Sequence, residues 1–274
     1  MNERITMYSP PFPRLKSYVD VIDLAVEYGV KSVEPFCMFE FENPDIEKAR
    51  RVKEYADEKG IIFPCFSVYT TIADKDIKEE AERLKGFADV AALLCSPFLH
   101  HTIVGEVKNP GKVVPYKDEL MKKGIEFVRD IYDYAEDVGV RTVYEDQGFI
   151  FNGVKGFGDF LDKINRNVGV VADFGNIFQV GERIEEFIDA FHDKVVHAHI
   201  KDMIVSDEET DTPILCGGYM KSVEVGTGEI DCKGVIDLLK SYGYNGYYGI
   251  EYAVLDDNSP VIEKIFKQAD EWLR

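Results

Sequence analysis

Short apolar segments alternate with longer amphipathic segments along the whole chain. The short segments are rich in Val, Ile, Phe and Tyr, and this alternation is typical of strand–helix units that build a parallel sheet. The segments predicted to be strands are 4–8, 31–36, 62–68, 98–104, 141–146, 168–174, 194–201 and 246–252. Helices are predicted at 15–28, 44–59, 76–94, 153–165, 181–191 and 232–241, across the apolar stripe that ends before Gly139, and from Ser259 to the last residue.

This count of strand–helix units favours a closed (β/α)8 TIM barrel, predicted as a single α/β domain over residues 1–274. A doubly wound open sheet is the competing architecture. It is less favoured because no Gly-x-Gly-x-x-Gly follows the first strand, where a dinucleotide site would begin. Residues 203–230, after the seventh strand, are predicted to form a long irregular loop, and such loops often carry function.

Two helices have clear signals at their boundaries. Asn43 is predicted to cap the helix 44–59, with Pro44 at its first position and Gly60 as the left-handed residue that ends it. Asp231 is predicted to cap the helix that begins near residue 232.

Acidic or imidazole side chains end four successive strands in the second half of the chain. They are Glu145, Asp173, His199 and Glu251, in the runs RTVYED, VGVVADF, KVVHAHIKD and GYYGIEY. Because the carboxyl ends of neighbouring parallel strands converge, these side chains are expected to meet. Three carboxylates and one imidazole suit one divalent ion, Mn²⁺, Mg²⁺, Co²⁺ or Zn²⁺, and without a cation the carboxylates would repel one another.

Each of these residues also has an ordinary structural interpretation. Glu145 and Glu251 suit salt-bridged rim positions, Asp173 suits a turn or helix cap, and His199 suits a hydrogen-bonded core position. The joint occurrence of matching positions on successive strands favours the metal site over these separate explanations.

The alternation of side chains within strands supports the same site. In the seventh strand the predicted outward set is Val196, Ala198 and Ile200, and the inward set is His197, His199 and Lys201. The same parity turns Asp173 and Glu251 inward in their own strands. In the fifth strand, Asp146 falls on the outward face and is expected at the rim.

The charge balance limits the classes of partner. The chain has 51 acidic and 32 basic residues and a formal net charge of −19, which disfavours nucleic acid and anionic membranes. Its five cysteines include no Cys-x-x-Cys pair, which is typical of a reducing compartment. Because the N-terminus lacks a signal-like segment and no uncharged apolar run reaches the length of a membrane span, a soluble cytoplasmic protein is expected.

The motifs VYED, VVADFGN, HAHIKD, EVGTGEID and LLKSYGYNGYYGIEY occur in this order through the second half of the chain. On these motifs the chain resembles the xylose isomerase-like TIM barrel superfamily, in the branch of single-domain sugar phosphate isomerases and epimerases. The resemblance implies that Glu145, Asp173, His199 and Glu251 bind one divalent ion. It also implies that Glu145 and Glu251 act as the acid/base pair on a hydroxyketone or aldose that passes through an enediolate.

Two departures from the family pattern concern the substrate. Many relatives have His where this chain has Asn176, and ketohexose epimerases have an Arg shortly after the histidine that corresponds to His199. Lys201 and Lys221 are the candidates to replace that Arg. A phosphorylated substrate therefore has no clear clamp.

Further candidates surround the predicted site. Of His100 and His101, one must face inward, and His101 is taken as the candidate for substrate contact. Glu34 would bind substrate or pair with a neighbouring cation, Tyr69 would form a pocket wall, and His197, one layer deeper, would support the site from a second shell of contacts.

Isomerisation or epimerisation of a sugar, sugar acid or polyol-derived ketone is the favoured function. A lyase of the inosose-dehydratase type on the same site is the first alternative, and a sugar-binding barrel without turnover is the second. A DNA endonuclease is disfavoured because the third strand, FSVYTT, offers no imidazole and the net charge is −19. The expected partner is a small carbohydrate or polyol, and a homo-oligomer is possible because relatives often form dimers or tetramers.

Overall fold

The computed structural model describes residues 1–10, 12–73, 75–251 and 259–274. Its strands, in chain order, are β1 (Ile5–Tyr8), β2 (Val33–Glu34), β3 (Phe66–Val68), β4 (Phe98–His101), β5 (Arg141–Glu145), β6 (Gly169–Asp173), β7 (Val195–Ile200), β8 (Asp202–Ser206), β9 (Thr212–Pro213), β10 (Tyr219–Val223) and β11 (Tyr247–Ile250). Each predicted strand contains one of these strands, although the structure makes most of them shorter. The predicted end of the last strand, Tyr252, lies outside the described residues.

Eight of the strands form one parallel sheet in the order β2-β1-β11-β7-β6-β5-β4-β3. Its two end strands meet through parallel bridges that join Ser32 to Ile62 and Phe36 to Ser67. The backbone N–H of Ser67 also donates to the carbonyl of Pro35 at 2.8 Å. The sheet is therefore a nearly closed barrel, which confirms the predicted (β/α)8 architecture over the open sheet.

Helices cover the outside of the barrel. In chain order, those of the described residues are α1 (Tyr18–Glu27), α2 (Ile46–Lys59), α3 (Ile77–Leu93), α4 (Pro110–Val113), α5 (Lys117–Asp137), α6 (Gly153–Ile164), α7 (Ile184–Phe191), α8 (Cys232–Ser241) and α9 (Ser259–Leu273). All except the short α4 match predicted helices. None of the helices in the described ranges combines the length and the apolar composition needed to cross a bilayer.

The cap predictions had mixed outcomes. The residue that caps α2 is Asp45, whose carboxylate accepts the N–H of Lys48 at 3.0 Å, so the prediction of Asn43 was wrong. Pro44 therefore precedes the cap, and the helix begins two residues later than predicted. Gly60 ends α2 in the left-handed conformation with φ of 70°, and Asp231 caps α8 through the N–H of Gly234, as predicted.

A bulge in β7 changes one outward assignment. Val170 pairs with Val195, but the next residue, Val171, pairs with His197, so Val196 is an extra residue between them. Val196 consequently packs on the small apolar cluster of Cys65, Val143 and Val171. The prediction that Val196 faces the helices was wrong. The bulge precedes His197 and leaves the orientation of the following residues unchanged.

The segment after β7 is not irregular throughout, as the sequence suggested. β8, β10 and β9 form a separate antiparallel sheet, with Tyr219 opposite Ser206 and Val223 opposite Asp202. The buried carboxylate of Asp202 fixes the end of this segment because it accepts backbone N–H groups at 2.8–3.2 Å. The donors are Met203, Gly226, Gly228 and Ile230.

Glu80, in the first turn of α3, binds the loop that follows β3. Its carboxylate accepts hydrogen bonds from Thr70 and Arg83 and from Lys75 at 3.1 Å. Burial raises the pKa of Glu80, but the hydrogen bonds outweigh burial and lower the pKa from 4.5 to about 2. The carboxylate therefore stabilises the fold wherever it is ionised in both the folded and the unfolded chain.

We expect Glu80→Gln to lower the free energy of unfolding at pH 7 by about 2 kcal/mol, since an unfolded Glu titrates near 4.5 and the folded one near 2. The contribution is complete above pH 4.5 and is lost as the pH falls toward 2. Urea unfolding at several pH values should show the two proteins converging in acid. Glu79→Gln, at an exposed neighbouring position, is the control, and an equal effect of both variants at pH 7 would contradict the assignment.

Candidate metal centre

The structure brings the predicted ligand residues together at the carboxyl end of the barrel. His199 Nδ1 lies 3.2 Å from Glu145 Oε2, 3.7 Å from Asp173 Oδ2 and 3.8 Å from Glu251 Oε2. Asp173 and His199 are fully buried, whereas the Glu251 side chain is 21% exposed. One carboxylate oxygen from each of the three acidic residues thus lies close to the same nitrogen of His199.

The register of the sheet explains this convergence. Asp173 pairs with His199 across β6 and β7, and His199 pairs with Gly249 of β11. Glu251 follows β11 directly, and its N–H donates to Ile200 O at 3.0 Å. Side chains with the same parity point to the same side of a sheet, so strand order alone places Asp173 and His199 between the two glutamates.

Asp173 uses its two oxygens differently. Oδ1 accepts the N–H groups of Gly175 and Asn176 at 2.8 Å each, at the start of the 3₁₀ turn Asn176–Val180. Oδ2 is buried and accepts no hydrogen bond among the described contacts. Burial raises the pKa of Asp173, but Lys201 and His199 more than offset it and hold the pKa below its usual range. The residue is therefore both the turn cap and a carboxylate with one oxygen directed into the site.

Lys201 is the ammonium group of this cluster. Its Nζ lies 2.7 Å from Glu251 Oε1, 3.2 Å from Asp173 Oδ2 and 3.1 Å from Asn176 Oδ1. Burial lowers the pKa of Lys201, whereas the nearby carboxylates, Asp173 first, raise it above its ordinary value. The structure thus places both Lys201 and Asn176 at the site.

Glu251 differs electrostatically from its neighbours. Burial raises the pKa of Glu251 to about 7, although the ammonium of Lys201 acts in the opposite direction. A carboxyl group that titrates near neutrality can take up and release a proton with little cost in free energy. Burial therefore favours the neutral form of the Glu251 carboxyl group.

The donors fit one divalent ion. One donor atom each from Glu145, Asp173 and His199 lies within 4.8 Å of the others, and the buried Asp173 Oδ2 faces the cationic Nζ of Lys201 at 3.2 Å, in a position where a positive charge is favoured. Carboxylate oxygens and an imidazole are ligands that Mn²⁺, Mg²⁺, Co²⁺ and Zn²⁺ accept. A cation at this point would also offset the repulsion among the carboxylates.

Glu34, His197 and His199 form a second group with suitable spacing for a metal. Here, however, the atoms already pair with one another, since Glu34 Oε2 lies 2.7 Å from His197 Nε2 and Glu34 Oε1 lies 3.0 Å from His199 Nε2. Burial raises the pKa of Glu34, but both imidazoles outweigh burial and lower the pKa well below its usual range. This buried carboxylate contacts imidazoles and Ser67 rather than an open pocket.

The structure brings His100, and not His101, to the site. His100 Nε2 lies 3.6 Å from Glu145 Oε1, and His100 Nδ1 lies 2.9 Å from Ser67 Oγ. His101 lies on the other face of β4, where its Nδ1 lies 3.0 Å from Thr102 O and its Nε2 lies 2.8 Å from the Tyr144 hydroxyl. Burial lowers the pKa of His101 to about 3, so this side chain is a neutral part of the layer under the helices.

Two other predicted substrate contacts are not placed among the ligands. Tyr69 is half-exposed, and its hydroxyl donates to Gly105 O at 3.0 Å in the neighbouring loop. Lys221 is exposed on β10, opposite Ile204, and no described hydrogen bond or ion pair joins it to the ligand residues.

Two residues near the ligands were missed or misplaced by the sequence interpretation. Tyr8, the last residue of β1, packs edge-on against His199 with ring centroids 5.2 Å apart. Its strand-end position was the available signal. Asp146 is fully buried rather than at an exposed rim, and its Oδ1 accepts the N–H of Asp173 at 3.4 Å. Burial and the carboxylates of Asp173 and Glu145 raise the pKa of Asp146 well above its usual value.

Comparison with known protein families identifies one family for this chain. A sequence profile described as xylose isomerase-like TIM barrel matches residues 22–274, which is most of the chain. No curated protein matches the sequence significantly. Three solved structures that are similar to this chain have different descriptions.

The first, a probable 3-DHS dehydratase from Bacillus anthracis, has a TM-score of 0.78, 14% identity, and coverage of 97% of this chain and 98% of its own. A 3-keto-D-glucoside 4-epimerase from E. coli has a TM-score of 0.73, 15% identity, and coverage of 100% and 99%. A xylose isomerase-like TIM barrel protein from Mycobacterium smegmatis, in complex with magnesium, has a TM-score of 0.71, 14% identity, and coverage of 94% and 89%. At these identities the similarity shows the fold.

Proposed function

Because the chain belongs to the xylose isomerase-like TIM barrel family, we propose that it isomerises or epimerises a sugar, sugar acid or polyol-derived ketone with one divalent metal ion. The observation that carries this proposal is the placement of Glu145 and Glu251 around His199, at 3.2 and 3.8 Å from its Nδ1. The strand order β11-β7-β6-β5 separates the two glutamates by Asp173 and His199. A substrate centred on these two residues would therefore have a carboxyl group on each side.

The proposed ion is held by Glu145, Asp173, His199 and Glu251, and it is Mn²⁺, Mg²⁺, Co²⁺ or Zn²⁺. When bound, such an ion supplies Lewis-acid stabilisation to oxygens that gain negative charge as a neighbouring C–H proton is removed. The similar protein with magnesium supports a divalent ion without identifying the one used here.

The protein's own residues would move the proton. One glutamate removes a proton from the carbon next to the substrate carbonyl, and the other delivers a proton to the opposite face or to the adjacent carbon. Lys201 Nζ, 2.7 Å from Glu251 Oε1, is positioned to donate a hydrogen bond to a substrate oxygen beside that glutamate. Asn176 bonds Lys201 through Oδ1 at 3.1 Å and would orient it.

A dehydratase is the second candidate, because a structurally similar protein is described as a probable 3-DHS dehydratase. Removal of the same proton would start either reaction. In the lyase the electron pair expels a β-hydroxyl as water, which requires an acid beside that hydroxyl. The two candidates differ in the mass of the product.

The proposal predicts metal-dependent uptake of solvent deuterium at the carbon next to the carbonyl. Purified protein with each of the divalent ions would be incubated in heavy water with a panel of ketoses, keto-sugar acids and inososes, and products would be analysed by mass spectrometry and NMR. An isomer or epimer gains deuterium and keeps its oxygen count, whereas a dehydrated product loses the mass of water. The absence of exchange across the panel with every ion would contradict the proposal.

A further inference from the structure

Glu34 is a buried carboxylate that lies behind the proposed metal ligand. It ends β2, which β1 and β11 separate from β7 in the sheet, and the curvature of the barrel brings it to His199. Its side chain is fully buried. Its carboxylate contacts three inward-facing side chains: His197 Nε2 at 2.7 Å, His199 Nε2 at 3.0 Å and Ser67 Oγ at 2.5 Å.

Each ring nitrogen of His199 faces a carboxylate, Nε2 that of Glu34 at 3.0 Å and Nδ1 that of Glu145 at 3.2 Å. If Nε2 carries the hydrogen and donates it to Glu34, the lone pair of neutral His199 lies on Nδ1. Nδ1 is the atom that faces Glu145, Asp173 and Glu251. A carboxylate hydrogen-bonded to the remote nitrogen of a ligating histidine both orients the ring and increases the basicity of the donor nitrogen.

The neighbouring strand leaves room for this arrangement. A Cβ built on Gly249 of β11 would lie 2.9 Å from Glu34 Oε2 and 3.1 Å from His199 Cδ2. The absence of a side chain at this residue therefore allows the carboxylate and the imidazole to meet. His197, whose Nε2 donates to the other carboxylate oxygen, anchors Glu34 from the deeper layer.

Stability alone does not account for a charge at this depth. Removing a carboxylate from water is costly, and replacing a buried ionic group with well-packed apolar residues is often neutral or stabilising. If Glu34 orients the metal ligand His199, that role is a reason for retaining the buried charge. The short, direct contacts of Glu34 also distinguish it from a second ion site, where the same atoms would have to point at a common centre rather than at each other.

We infer that Glu34 is a positioning residue that holds His199 in the orientation and tautomer required for binding a divalent ion through Nδ1, with His197 as the anchor of the carboxylate. The inference rests on the metal site of the proposed function. It adds a requirement to those of the four proposed ligands. The metal site also needs a carboxylate on β2 that contacts the His199 ring, and a glycine on β11 that leaves room for this contact.

Metal affinity without substrate tests this inference. Chelator-treated protein would be titrated with Co²⁺, with affinity measured by calorimetry and ligand geometry by the visible absorption spectrum. Glu34→Gln keeps the size of the side chain and removes its charge, and we expect it to weaken Co²⁺ binding by about 10- to 100-fold and to change the spectrum. Glu80→Gln, the same substitution at a buried carboxylate that binds Thr70, Lys75 and Arg83 instead of a proposed ligand, should change affinity by less than about threefold.

Gly249→Ala provides a variant that keeps every charge. Its methyl group would lie 2.9 Å from Glu34 Oε2 and 3.1 Å from His199 Cδ2, so we expect weaker Co²⁺ binding and an altered spectrum in a folded protein. If Glu34→Gln fails to fold, Glu34→Asp, which keeps the charge but shortens the side chain, takes its place in the titration.

The possible failures are distinguishable. If the wild-type protein binds no divalent ion, the proposed metal site itself is wrong, and the inference falls with it. If the wild type binds one ion and both Glu34→Gln and Gly249→Ala match it in affinity and spectrum, Glu34 does not position His199. If the wild type binds two ions and Glu34→Gln binds one, Glu34 is a ligand of a second ion, which also overturns the positioning role.

Discussion

Asp173→Asn is expected to reduce the affinity for a divalent ion by at least about 100-fold. Residues that only support metal ligands change affinity by about 10- to 100-fold when mutated, and a carboxylate oxygen directed at the ion should contribute more. The substitution preserves the local turn because the Asn carbonyl can still accept the N–H groups of Gly175 and Asn176, now 2.8 Å from Oδ1. Calorimetric titration with Mn²⁺ and elemental analysis of the purified protein measure the loss.

Asp231→Asn is the matched control for that variant. It removes the same charge near the same end of the barrel, and Asn caps a helix about as well as Asp does, so α8 should remain intact. His199→Ala should reproduce the metal loss by removing the imidazole that faces all three carboxylates. Stoichiometric, wild-type-strength binding in both Asp173→Asn and His199→Ala would show that the ion, if any, lies elsewhere.

The barrel was predictable because its signals are repeated. Each strand–helix unit has its own apolar pattern, so an error at one boundary, such as the cap of α2, leaves the count and order unchanged. The convergence of the four strand-end side chains was predictable for a related reason. A residue at the carboxyl end of a parallel strand lies at the same rim as its counterparts, whatever the details of the loops.

The face of the sheet on which each side chain lies was harder to predict in short or irregular strands. β4 contains only Phe98–His101, and two adjacent histidines at its end could exchange roles with a shift of one residue. The bulge at Val196 has no separate signal in the apolar pattern, because Val is compatible with either face. The small sheet after β7 was missed because the partly exposed strands β8 and β10 are separated by residues 207–218, a stretch with many acidic and turn-forming residues.

The pairing of Glu34 with His199 could not have been predicted from local patterns. The two residues are 165 positions apart, and their contact depends on how β2 and β7 face each other across the closed barrel. Gly249 shows the same limit. A glycine in a strand has many explanations, and only the three-dimensional packing shows which side chains occupy the space beside it.

Glu145→Gln and Glu251→Gln are each expected to lower product formation by about 10²- to 10⁴-fold at saturating metal, the usual contribution of a positioned acid or base. Both residues are also proposed ligands, so the metal content of each variant must be brought to that of the wild type before rates are compared. Glu106→Gln is the control, because the Glu106 carboxylate accepts backbone N–H groups of Lys108 and Asn109 within its own loop and Gln can do the same.

Deuterium exchange should then distinguish the roles of the two glutamates in proton transfer, because their side chains differ in exposure to water. The Glu251 side chain is 21% exposed and that of Glu145 is 5% exposed. A proton taken by Glu251 should exchange with solvent and return to unreacted substrate as deuterium, whereas a proton taken by Glu145 should be more often returned unexchanged. With one epimer as substrate, the variant that retains the abstracting glutamate should label that substrate without forming product, and more strongly when that glutamate is Glu251. The variant that lacks the abstracting glutamate should neither label the substrate nor form product. With the opposite epimer as substrate, the two variants should exchange these behaviours. Unchanged turnover in both variants at full metal content would rule out the acid/base roles and leave the glutamates as ligands only.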